Sequence, residues 1–183
     1  MRKIIGLVGE TGAGKDTFAD YVAEKNKNVF VFRFSQPLTE ALKIFLEEIK
    51  KEDQQWLATC LRKRFGKDIL AQAIKKKIKS IREGIIILNG VRMWEEYEMI
   101  RGLKGKIIYI TASPKIRWQR LQTRKEKEDD KISYKKFLKL EKAETEILIP
   151  KIGEKADFKI ENNKTRKEFY QKIDQTLKKL DKL

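Results

Sequence analysis

Apolar residues along this chain follow two spacings. Short, nearly continuous apolar runs occur at 3 to 9 (K-I-I-G-L-V-G), 29 to 34 (V-F-V-F-R-F), 84 to 90 (G-I-I-I-L-N-G), 106 to 111 (K-I-I-Y-I-T) and 156 to 161 (A-D-F-K-I-E). Runs of this length, rich in Ile, Val and Phe, predict strands, and the one between Gly84 and Gly90 predicts a strand buried on both faces of a parallel sheet. Elsewhere the apolar positions take helical spacing. Phe18, Ala19, Tyr21, Val22 and Ala23 mark a helix over 15 to 25. Leu38, Ala41, Leu42, Phe45, Leu46 and Ile49 predict a second helix, with Ser35 near its cap and Pro37 in its first turn. The region 52 to 82 reads as two helices broken near Phe65-Gly66, the second with Ile69, Leu70, Ala73, Ile74, Ile78 and Ile81 as its stripe. Helices over 93 to 103, 114 to 124, 133 to 148 and from about 164 complete the series.

Five strands separated by helices require crossover connections, and such connections are right-handed. The expected fold is therefore α/β, a parallel sheet wound with helices on both faces. A length of 183 residues suits one domain. No internal repeat is visible, and the one low-complexity stretch is R-K-E-K-E-D-D-K at 124 to 131.

Composition adds a charged surface to this picture: 38% of residues are charged and the formal net charge is +16. That field favours anionic ligands, nucleotides or nucleic acid. Lys occurs along the whole chain in runs such as K-K-K-I-K-S-I-R, interrupted by apolar residues, which describes solvated helix faces and leaves nucleic acid a secondary expectation. The apolar run after the N-terminus is too short for a signal sequence, and no stretch reaches the roughly 20 apolar residues of a membrane span. With a single cysteine, Cys60, expected to pack as a small apolar side chain, a reducing cytoplasm fits. Trp56, Trp94 and Trp118 could stack on a base, but at helical spacing they are expected mainly in the core. There is no histidine, so neither imidazole catalysis nor a His-based metal site is available.

The chemistry concentrates in G-E-T-G-A-G-K-D-T, residues 9 to 17, between the first strand and the first helix. In that setting G-x-x-x-x-G-K is a phosphate-binding loop: glycines let successive backbone N–H groups point inward, the helix N-terminus adds partial positive charge, and the lysine reaches the β- and γ-phosphates. Gly9, Glu10, Thr11, Gly12, Ala13, Gly14, Lys15, Asp16 and Thr17 are the expected nucleotide-binding residues. The position after the lysine usually carries a hydroxyl that binds Mg²⁺. Here it is Asp16, a carboxylate and itself a hard oxygen ligand, which makes it the candidate metal residue. Thr17 is expected toward the α-phosphate. The GTPase elements N-K-x-D and D-x-x-G are absent, the nearest being N-K-N-V at 26 to 29, and the acidic pair of a motor ATPase is replaced by Asn89 at the end of I-I-I-L-N-G.

The phrase G-K-D-T, together with F-R-F-S-Q-P-L-T-E-A-L-K (32 to 43), L-N-G-V-R-M-W-E-E-Y-E-M-I-R-G-L-K-G-K-I-I (88 to 108) and I-T-A-S-P-K-I-R-W-Q-R-L-Q-T-R (110 to 124), resembles the nucleoside and deoxynucleoside monophosphate kinases, with features similar to dephospho-CoA kinase. That resemblance implies a three-layer α/β/α kinase fold with sheet order 2-3-1-4-5. It also implies a helical acceptor-binding region over 35 to 83 and a lid over 124 to 133. It further implies an ATP- and Mg²⁺-dependent phosphotransferase. Arg33, Ser35, Asn89 and Arg92 would meet the acceptor at the carboxyl edge of the sheet. Arg120 and Arg124, with Arg117 on the same helix face, would reach the transferring phosphoryl. The resembled families usually have Asp where this chain has Asn89. A dephospho-CoA kinase-like enzyme and a basic, nucleic-acid-associated P-loop ATPase are the alternatives.

Overall fold

The computed structural model describes residues 2–124, 132–142 and 144–180. Strands β1 (Arg2–Val8), β2 (Val29–Arg33), β3 (Gly84–Val91), β4 (Lys106–Thr111) and β5 (Phe158–Glu161) form one all-parallel sheet in the order β2-β3-β1-β4-β5. Both the strand count and the order match the sequence expectation.

The continuous apolar runs follow from burial on two sides. Along β1, Ile4 and Val8 face one layer and Ile5 and Leu7 the other. On the first face Ile74 and Ile78 of α4 (Ile69–Ile78), Ile100 of α5 (Trp94–Gly102) and Ile149 and Ile152 of α8 (Glu144–Gly153) close over Ile86, Leu88 and Ile107. On the second, Phe18 and Val22 of α1 (Lys15–Lys25) and Phe169 and Ile173 of α9 (Arg166–Leu180) cover Ile87, Ile108 and Ile160. Each such buried Ile or Phe contributes about 1.5–3 kcal/mol of transfer free energy. A smaller cluster of Leu38, Ala58 and Leu70 joins α2 (Gln36–Leu42), α3 (Lys51–Phe65) and α4 beyond the end of β2.

Several elements depart from the pattern. The helix expected through Ile49 ends at Leu42, and Ile44, Phe45 and Leu46 are exposed. Leu38 and Leu42 are buried, and the apolar side chains of the next turn face water instead of a packing surface. The helix expected over 133 to 148 is two: α7 (Tyr134–Leu140), capped by Ser133, and α8, which continues past Pro150 to Gly153. β5 begins at Phe158 rather than 156, because the Asp157 side chain already accepts from the Ile107 backbone N–H and from Arg101. Cys60 is exposed rather than packed, and Trp56 is 65% exposed, whereas Trp94 is partly buried. No helix among the described residues is long and apolar enough to cross a membrane.

One irregularity shapes the site. In the β1–β3 ladder Leu7 pairs with Asn89 and Val8 with Val91, so Gly90 is bulged out at φ +87°. A bulge re-aims the side chain beside it. Asn89 lies in register with Arg33 of β2, and both stand at the carboxyl edge of the sheet.

Candidate functional site

Residues 9 to 14 turn from β1 into α1 with Gly12 and Gly14 at positive φ, +81° and +109°. Gly14 is the helix N-cap, and a Cβ there would stand 2.5 Å from Asn162 Nδ2. The close approach is used: Asn162, buried at the end of β5, donates from Nδ2 to the Ala13 carbonyl at 2.9 Å, while its own N–H donates to Thr111. The loop is thereby tied to the far side of the sheet.

Lys15 lies inside the loop it serves, donating from Nζ to the carbonyls of Gly9 (2.7 Å) and Glu10 (3.0 Å). Burial pulls its pKa down to about 8, with the Arg92 charge adding to the effect, against the carboxylates of Asp16, Glu146 and Glu10. An ammonium held in this way gains from a phosphate that satisfies it more fully.

Asp16 occupies the first turn of α1. Its Oδ1 accepts from Arg33 Nη2 at 2.8 Å and from Asn89 Nδ2 at 2.7 Å, the two residues that register side by side on β2 and β3. Burial works to raise the carboxyl pKa, but the Arg33 hydrogen bond and charge, with Lys15 and Asn89, outweigh it and hold the acid below its usual range. Asn89 is thus the hydrogen-bond donor to the carboxylate that the loop introduces. A second carboxylate at position 89 would instead meet Asp16 across the same short distance.

The arginines expected at phosphates have internal partners. Arg92 pairs through Nη1 with Glu146 of α8. Arg117 is buried. Its Nε donates to the Ala112 carbonyl at 2.8 Å, its Nη1 pairs with Glu141 just past α7 and also reaches the Thr11 carbonyl at 3.4 Å, and its guanidinium lies over the Phe137 ring. Arg120, on α6 (Pro114–Arg124), donates from Nη2 to the Asn162 carbonyl at 2.8 Å and to Asn162 Oδ1 at 3.2 Å, on the β5 side of the loop. The geometry brings Lys15, Asp16, Arg33, Asn89 and Arg92 to one edge and sets Arg117 and Arg120 against the loop from the other side. Ser35 acts through its backbone, its carbonyl accepting from Leu38, Thr39 and the Thr39 hydroxyl. The Arg124 side chain and most of the expected lid, 125 to 131, lie outside the described residues.

Three residues that the sequence reading missed, Tyr109, Glu146 and Asn162, stand in the site. Glu10 accepts from the Tyr109 hydroxyl, whose pKa burial and this carboxylate push up to about 12. Glu146 holds Arg92, and Asn162 braces the loop. No local spacing marks Glu146 or Asn162, because their partners lie 54 and 149 residues away. Buried polar atoms normally have partners, and those without one call for an explanation. Among the described residues the unpartnered buried side-chain atoms are Glu10 Oε2, Asn89 Oδ1, Arg120 Nη1 and Arg62 Nε. Three of these belong to the loop or to residues at its two flanks.

Comparison with known proteins agrees with the fold. Residues 5–148 match the family model described as AAA domain. Shikimate kinase from Acinetobacter baumannii, in complex with shikimate, superposes with a TM-score of 0.64 at 21% identity, covering 97% of this chain and 93% of that one. Shikimate kinase from Bacteroides thetaiotaomicron gives 0.60 at 20% identity over 99% of both chains. At such identities the likeness is one of fold, the P-loop kinase fold. A UPF0200 protein of Sulfurisphaera tokodaii is 32% identical over 97% of this chain and 97% of its own length, and one of Pyrococcus horikoshii is 30% identical over 97% of each. The chain belongs to the AAA domain family and to the UPF0200 proteins.

Proposed function

We propose that this protein is a small-molecule kinase that moves the γ-phosphoryl of ATP, with Mg²⁺, to the phosphate of a nucleoside or deoxynucleoside monophosphate. The observation that carries the reading is Lys15, folded onto its own loop beside Asp16, with Arg33 and Arg92 at the same edge of the sheet. Phosphoryl transfer needs alignment of two phosphates and neutralisation of the charge between them more than it needs covalent help. Lys15 would exchange two carbonyls for β- and γ-phosphate oxygens, and the inward N–H groups of residues 9 to 14 would take the rest of the polyphosphate. Arg92 would leave Glu146 for the acceptor phosphate, a tighter, bidentate partner. Arg120, on the β5 side of the loop, would bound the nucleotide there.

The residues present fit Mg²⁺. Asp16 supplies a half-exposed carboxylate in the first turn of α1, and Asn89 Oδ1 is a second oxygen without a partner. Mg²⁺ binds through one or two protein oxygens together with phosphates and waters, and when bound it screens the β- and γ-phosphate charge.

A hydroxyl acceptor, as in a dephospho-CoA kinase-like enzyme, is the second reading. Glu146 favours it, because it sets a carboxylate beside Lys15 and Arg92, where a hydroxyl could be oriented. The deciding experiment offers every ribo- and deoxynucleoside monophosphate, dephospho-CoA and shikimate as acceptors with ATP and Mg²⁺. Conversion of one mononucleotide to its diphosphate supports the first reading, and phosphorylation of a hydroxyl compound supports the second. Lys15→Ala is expected to abolish either transfer while circular dichroism stays unchanged; near-normal turnover would remove Lys15 from the mechanism.

A further inference from the structure

The basic residues are spread along the chain, but the acids that balance them are not. Residues 1 to 49 and 83 to 113 are each electrically neutral, whereas residues 50 to 82 hold eleven Lys and Arg against three Asp and Glu, a net of +8. Half the charge of the molecule therefore sits on α3, α4 and their flanks. Arg62 and Lys77 are paired there, with Glu96 and Glu40. Lys63, Arg64, Lys75, Lys76 and Lys79 enter no ion pair among the described residues.

On α3 these charges share a face with an aromatic ring. Leu57, Ala58 and Leu61 turn inward against Leu38 and Leu70. Trp56, Cys60 and Lys63, at i, i+4 and i+7, fall on the outer face with Arg64 at its border, and all four are exposed. Phe65, at the helix end, is 60% exposed. Cations in a last helical turn are favoured by the helix dipole, which accounts for part of the charge. The dipole gives no reason for a tryptophan with 65% of its surface in water.

We propose that the outer face of α3 binds a single-stranded nucleic acid, with the Trp56 ring stacked on a base and Lys63 and Arg64 at neighbouring phosphates. Stacking platforms set among cations suit single strands because every base presents a π-face and every linkage a charge. A membrane surface suits this face less, since Gln55, Thr59 and Lys63 interrupt the apolar surface around Trp56. The surface is distinct from the P-loop, and the proposal does not depend on the kinase reading.

The test is fluorescence anisotropy with labelled mixed-sequence RNA and DNA strands of about 12 nucleotides. Binding is expected in about 50 mM salt, weakening steeply toward about 200 mM. Trp56→Ala should weaken it about tenfold. Lys63→Glu with Arg64→Glu should weaken it further and flatten the plot of log affinity against log salt by about 1.4, the value for two single-strand phosphate contacts. Lys15→Ala should bind the strands as tightly as the parent chain does. Absence of binding in low salt would overturn the proposal, as would an unchanged affinity in Trp56→Ala. Equal weakening by Lys167→Glu with Lys178→Glu on α9 would assign the effect to diffuse charge and overturn it. So would equally tight capture of a polyglutamate peptide, or recruitment to anionic phospholipid vesicles without oligonucleotide binding.

Discussion

Asp16 and Asn89 hold between them one negative charge, the same total as a hydroxyl in the loop and a carboxylate on the strand. The carboxylate stands on α1 and the amide on β3, joined by a 2.7 Å hydrogen bond. Asn89→Asp would turn that donor into a second anion in a nearly fully buried position, 3% exposed. Like charges at that spacing disfavour joint ionisation. The variant should melt at a lower temperature in chelator and regain more of the loss with added Mg²⁺ than the parent does. Equal shifts with and without Mg²⁺ would separate position 89 from the metal. Glu96 offers a second test at this scale. It is buried in the first turn of α5, accepts from the backbone N–H groups of Arg92 and Met93, and faces Arg62 at 4.0 Å. Burial, against those hydrogen bonds and the charges of Arg62 and Arg92, pushes its pKa up to about 7. For an acid raised in this way the folded state holds its proton longer than the unfolded chain, so the stability it allows is full below about pH 4.5 and declines as pH rises toward about 7. Glu96→Gln keeps an oxygen for the N–H groups and does not ionise. Its urea midpoint should rise relative to the parent between pH 5 and about pH 8, and parallel profiles would show that Glu96 stays charged in the fold.

At the scale of elements, β1, the loop and α1 behave as one unit, because the glycines are fitted to neighbours as well as to phosphate. Gly14→Ala would place a Cβ against Asn162 at a φ of +109°, where an L side chain costs about 1–3 kcal/mol. A corresponding fall in unfolding free energy, with loss of ADP binding by calorimetry, is the expected result; unchanged binding would mean that the loop reshapes without its glycine. The strands and the loop were legible in the sequence because each is a local pattern, an apolar run or a glycine spacing whose consequence lies within a few residues. The ends of helices were less so. The stripe Leu38, Leu42, Phe45 and Ile49 reads as one helix, but only the fold shows that the surface receiving it stops at Leu42. Likewise, residues 133 to 148 carry helical spacing throughout, yet the chain turns after Leu140, where Glu141 pairs with the buried Arg117. Trp56 and Cys60 were misplaced for the same reason: helical spacing tells which residues share a face and says nothing of whether that face is covered.

For the whole molecule, the sheet order brings the first strand and the last to the same loop. β5, at one edge of the sheet, carries Asn162, whose side chain reaches Ala13 across 149 residues of sequence. The same residue receives Arg120 from α6 on its carbonyl and side-chain oxygen. Three segments, the loop, α6 and the β5 end, are therefore coupled through one amide, a link visible only once the sheet is assembled. Asn162→Ala would leave the Ala13 carbonyl without its donor, while Arg120 would keep the backbone carbonyl of residue 162 and lose the 3.2 Å contact to the side-chain oxygen. A buried polar group left unsatisfied costs about 1–3 kcal/mol, so the unfolding free energy should fall by that order. If Asn162 braces the loop, ADP affinity should weaken in the variant as well, and hydrogen exchange should rise in residues 9 to 17 as well as around 158 to 162. A stability loss with unchanged ADP affinity and unchanged exchange in the loop would make Asn162 a brace for β5 alone. Asn162→Asp separates the two contributions: it keeps an acceptor for Arg120 and removes the donor to Ala13, so its loop should exchange as fast as that of the alanine variant while α6 stays protected.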